Sequence, residues 1–112
     1  MSLSDIERRI LDLVFEDSYA LSEIVSRLGD AYDELPPKEV KKLARATIHA
    51  LFEVDWIEIT KLESPEGTEP TLERSAAETA LADDLNWLEL KSWRPHIRVV
   101  ATAAGREAYY SR

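Results

Sequence analysis

The sequence predicts an α+β domain: a three-helix core, a small antiparallel sheet, a helix inserted between the sheet's two long strands, and a short C-terminal helix. Three observations lead there. Apolar residues recur at helical spacing in the first half of the chain, most regularly at Val40, Leu43, Ala44, Thr47, Ile48, Leu51 and Phe52. Residues 56–62 alternate instead, Trp56, Glu58 and Thr60 against Ile57, Ile59 and Lys61, which is the period of a half-buried strand. The length of 112 residues, 45% of them hydrophobic, suits one domain over 1–112 with a modest core.

Taken in order, Ser4, Asp5, Ile6 and Glu7 form a capping-box pattern, so a first helix is expected over 5–16. Asp17 and Ser18 break it, and residues 19–21 suit a short edge strand. Ser22 is the expected N-cap of a second helix over 23–32, with Ile24, Val25, Leu28, Ala31 and Tyr32 inward. Gly29 lies inside that pattern, where it costs about 1 kcal/mol against Ala, or instead marks a close approach between helices or the helix end. A turn through Pro36 and Pro37 opens the third helix, since proline is tolerated where the first-turn N–H has no partner anyway. That helix ends near Glu53 or Val54, and the strand at 56–62 follows.

Residues 63–70 read as an acidic loop and 71–85 as an alanine-rich helix sharing Leu72, Ala76, Ala80 and Leu81 on one face. Asn86 is a candidate for a left-handed position after it, and Trp87 for an anchor. Strands are expected at 88–91 and 97–101, joined by 92–96. Thr102 is the expected N-cap of a last helix reaching Tyr110.

Charge is unevenly spread within the total of -8. Residues 1–35 sum to -6 and 63–86 to -6, whereas 36–62 reach +1 and 87–112 reach +3. Positive charge is thus confined to the third helix and the C-terminal segment. With no cysteine, disulfides and thiolate metal sites are excluded, and a cytoplasmic setting is expected. No apolar run approaches the ~20 residues that span a bilayer, so no membrane partner is expected.

Helix, short extended piece, Leu21-Ser22-Glu23-Ile24-Val25-Ser26-Arg27-Leu28, third helix, then Trp56-Ile57-Glu58-Ile59 resembles the winged helix-turn-helix order. The closing stretch from Val99 to Glu107 is similar to the strand-then-"LTxxGR" ending of bacterial winged-helix transcription regulators. The resemblance covers about residues 19–62 and 97–108. It departs from the pattern in three places. Asp55, not Gly, precedes Trp56; Ala101 stands where Leu is usual; and 34 residues, 63–96, occupy what is normally a short wing hairpin.

The resemblance implies that the third helix would be the recognition helix, entering double-stranded DNA. Lys38, Lys41, Lys42, Arg45 and His49 project together from it, suited to phosphates, with Arg45 or His49 able to reach base edges. Arg94, His96 and Arg98 form a second basic group near the wing tip. The leading expectation is therefore a DNA-binding or DNA-associated transcriptional regulator. The alternative is a winged-helix protein-interaction module that does not bind DNA, motivated by the acidic total and the overlong wing. Trp87, Trp93, Tyr109 and Tyr110 would then serve a protein partner or a homodimer.

Catalysis is not expected, nor a cofactor. Asp83 and Asp84 are adjacent on a helix end, so their carboxylates diverge. His49 and His96 lack neighbours at zinc-ligand spacing, and there is no Gly-rich phosphate loop.

Overall fold

The computed structural model describes residues 3–111. Five α-helices and a three-stranded antiparallel sheet build an α+β domain of winged-helix-like layout. Helix α1 (Asp5–Leu13) opens on the expected capping box: Ser4 Oγ accepts from the Glu7 amide, and Glu7 accepts from the Ser4 amide at 2.8 Å. It stops three residues short of Glu16, and the carbonyls that follow its end face other elements. The Val14 carbonyl accepts from the Ala101 amide, and the Phe15 carbonyl accepts from Arg106.

The edge strand β1 (Tyr19–Ala20) runs directly into α2 (Leu21–Ala31). Ala20, not Ser22, is therefore the N-cap, and Glu23 closes the turn by accepting from the Ala20 amide at 3.0 Å. Ala31, expected inward, is exposed. Gly29 lies inside α2, and a β-carbon there would meet nothing within 4 Å. Neither a close approach nor a helix end explains it. Replacing Gly29 by Ala is expected to stabilise the domain by about 0.5–1 kcal/mol, the helix-interior cost of glycine. Urea denaturation followed by circular dichroism measures it, and an unchanged or lower midpoint would refute it.

Helix α3 (Pro37–Glu53) is the core's long axis. Its Val40, Ala44, Ile48 and Leu51 are buried against Ile10, Leu11 and Val14 of α1 and Leu21, Ile24 and Leu28 of α2. Each fully buried Leu or Ile contributes about 1.5–3 kcal/mol. Leu43, assigned to this stripe from spacing, is instead 37% exposed. Thr47 is buried because its hydroxyl donates to the Leu43 carbonyl at 2.8 Å, leaving no unpaired polar atom.

A left-handed Asp55, with φ of 60°, turns the chain from α3 into β2 (Ile57–Leu62). This is the position where winged-helix sequences favour glycine, and the backbone shows why. Strand β2 pairs with β3 (His96–Ala101), Ile59 opposite Val99, and β3 pairs on its other edge with β1, Tyr19 opposite Val99. The order β1-β3-β2 puts the last strand of the sequence in the centre of the sheet.

The 33 residues between β2 and β3 are not one acidic wing. Residues 63–72 double back along the free edge of β2: the Lys61 amide donates to the Pro70 carbonyl and the Leu72 amide to the Ile59 carbonyl. Gly67, with φ of 99°, makes the turn. Helix α4 (Arg74–Ala82) then buries Ala77 and Leu81, and a 3-10 helix (Asp84–Trp87) follows. Asn86 lies within that 3-10 helix, not at a left-handed cap, and its amide donates to the Ala80 carbonyl. Residues 88–91 form no strand; the chain crosses irregularly to β3. Helix α5 (Ala103–Tyr110) starts as expected, Thr102 Oγ1 accepting from the Gly105 amide at 3.0 Å.

Candidate interaction surface

The basic residues singled out on α3 do not form one free face. Lys38 and Lys42 are exposed, and Lys41 is half-buried. Arg45 is drawn sideways into the fold. Its guanidinium donates to Asp84 at 2.7 Å and to the Leu81 and Ala82 carbonyls at 3.3 and 3.4 Å, and it lies 5.1 Å over the Trp87 ring. These contacts use the donors that a base edge or phosphate would need. Asp84 is held below the usual carboxylate range, first by the Arg45 hydrogen bond and then by the Arg45 charge. His49 sits 3.4 Å from Glu53, which also receives Arg74 at 2.6 Å. Arg74 in turn covers the Phe52 ring at 5.3 Å.

One flank of α3 is therefore bridged through Arg45, Glu53 and Phe52 to α4 and the 3-10 helix, which bring Glu73, Glu78, Asp83 and Asp84 near it. Sequence spacing placed Arg45 among the outward cations because it treats α3 alone. The partner that captures it lies 39 residues on.

The second basic group separates as well. Arg94 is exposed, but Arg98 is only 18% exposed and acts inside the sheet. It donates to Ser18 Oγ at 2.8 Å and to the Ser18 carbonyl at 2.6 Å, with Glu23 and Glu69 beyond. It thereby fastens the two-residue strand β1 to β3. Arg98 also donates to His96 Nε2 at 2.9 Å, while His96 Nδ1 faces the Arg94 carbonyl at 2.8 Å. A guanidinium only donates, so this arrangement uses the neutral ring with its proton on Nδ1.

Of the aromatic residues expected at a partner surface, Trp87 is 3% exposed and belongs to the core. Its indole N–H donates to the Leu81 carbonyl at 2.9 Å, which closes the 3-10 helix onto α4. Tyr109 is half-buried against α1, its hydroxyl donating to Asp12. Trp93 and Tyr110 are exposed. Two further residues, unremarked in the sequence, join them at the surface: Leu85 is 65% and Leu88 48% exposed. Position 85 falls at the end of the helix expected over 71–85 and position 88 in the strand expected over 88–91; α4 ends earlier, at Ala82, and no strand forms at 88–91.

No family model, curated protein or solved structure matches this chain. Function rests on the geometry above. Among the described residues no group of acidic or histidine side chains is placed to hold a metal ion, and no helix is long and apolar enough to cross a membrane.

Proposed function

We propose that this domain is a winged-helix-like protein-interaction module, whose contact segment is the elaborated wing. The observation that carries the reading is the capture of Arg45 by Asp84 and Trp87. It ties the inserted segment to α3 through one side chain, and within nine residues that segment presents Leu85, Leu88 and Trp93 to solvent. A DNA-reading α3 would need its cations free and its flanks neutral or positive. Here Lys38, Lys41 and Lys42 remain, beside an acidic insertion, in a chain of net charge -8.

Fluorescence anisotropy against mixed-sequence duplex DNA separates this reading from a DNA-associated regulator. The expected result is no salt-sensitive binding at low ionic strength, and no change on Lys41→Glu with Lys42→Glu. Affinity that falls steeply with salt and is abolished by that double change would establish the DNA reader instead. The affirmative arm places a photocrosslinking side chain at Leu88 and, as control, at the exposed Ala104 on α5. Protein adducts in source-cell extract are expected from position 88 and not from 104.

A further inference from the structure

The surface where α1 ends against α5 carries a different chemistry. Phe15, Tyr19, Tyr109 and Tyr110 line a cleft there together with Asp12, Glu16 and Asp17. The rings of Phe15, Tyr109 and Tyr110 lie 5.4–5.6 Å apart between centroids, tilted by 60° to 82°. The pairs are tilted or edge-to-face, so neighbouring edges cover part of the ring faces, and the ring surface left to a cation is chiefly that of Tyr110. Tyr110 is 71% exposed. The cluster already accepts one guanidinium: Arg8 lies 5.3 Å over the Tyr109 ring and donates to the Tyr109 carbonyl at 2.8 Å.

The charges around it point the same way. Asp12 accepts from the Tyr109 hydroxyl at 2.9 Å, while Glu16 and Asp17 enter no ion pair among the described residues. Helix α1 has no basic residue in its last turn, so its negative end and these carboxylates add their fields. The nearby Arg106 is turned to the Phe15 and Ala101 carbonyls. Aromatic faces and unpaired carboxylates around one cleft are complementary to a cationic side chain with an apolar stem.

We propose that this cleft takes an arginine or lysine side chain presented by an exposed segment of a partner protein. The cation lies against Tyr110 and Phe15, and Glu16 and Asp17 accept its hydrogen bonds. This site is separate from the segment at 85–93, and either can fail without the other.

The test uses a fluorescein-labelled tetra-arginine peptide titrated against the whole chain at fixed, low ionic strength. Tyr110→Ala is expected to weaken binding about fivefold, the scale of an exposed cation–π contact. Glu16→Gln with Asp17→Asn should weaken it about tenfold. A charge control, Asp30→Asn with Asp33→Asn and Glu34→Gln, removes more charge elsewhere and should weaken it less than about twofold. A control that weakens binding as much as the cleft variants would show net charge alone at work and overturn the site. So would an unchanged affinity on Tyr110→Ala, or no binding by the parent chain. Tyr110→Phe, which keeps the ring face, should bind like the parent; loss in this variant would also overturn the site.

Discussion

Gly105→Ala is expected to destabilise the domain by about 3 kcal/mol, an extreme effect for one added methyl group. A β-carbon at Gly105 would lie 1.8 Å from the Trp56 carbonyl oxygen and 2.8 Å from its carbon. Both are backbone atoms, so no side-chain rotation relieves the contact. The same Trp56 carbonyl accepts the Thr102 amide at 3.1 Å, and Thr102 Oγ1 donates to the Asp55 carbonyl at 2.7 Å. The start of α5 is thus nailed to the α3–β2 turn, and moving it off breaks both bonds. Chemical denaturation gives the number. A loss under about 1 kcal/mol would mean that α5 can slide without disturbing the turn.

Trp87→Ala should cost about 3–5 kcal/mol, the range for truncating a buried large aromatic side chain. The side chain supplies the insertion's bulk in the core, one hydrogen bond to the Leu81 carbonyl and the face on which Arg45 rests. Hydrogen exchange should show the loss first at 74–87, ahead of the helices α1–α3. Trp87→Phe keeps an aromatic face but loses the donor and part of the buried indole, leaving the Leu81 carbonyl to Arg45 alone. It should cost about 2–3 kcal/mol, one hydrogen bond plus the lost buried surface. Equal protection throughout the chain in Trp87→Ala would show that the insertion and core unfold as one unit.

The elements that were legible in the sequence are those whose signals are local. The Ser4–Glu7 capping box, the alternation of Ile57 and Ile59, and Thr102 as an N-cap each act within three or four residues. Where partners are distant, spacing misled. Helix α1 ends at Leu13 rather than Glu16, and the Val14 carbonyl just past its end accepts from the amide of Ala101, far along the chain. Strand 88–91 was read from Leu88 and Leu90, but β2 already lies between β3 and the returning segment 68–72, so no free edge of that pair remains for it. The site residues divide the same way. Exposure of Lys38 and Lys42 followed from helical periodicity, whereas the fates of Arg45, Arg98 and Trp87 depend on contacts 36, 80 and 6 residues away.

The central position of β3 has a consequence for the order in which the molecule can assemble. Helices α1–α3 bring residues 5–53 together by connections of a few residues, and can collapse while the rest of the chain is still being made. The three-stranded sheet cannot form until residues 96–101 have left the ribosome, because β1 and β2 join it only through β3. Closing β2 onto β3 spans 33 residues rather than the roughly four of a tight hairpin, about three doublings of loop length, which adds about 2 kcal/mol of entropy to that step. Until then Ile57 and Ile59 lack their partner strand. The return of 63–72 along the far edge of β2 occupies one side of it in the interval, so that a nascent strand waits with one edge open instead of two.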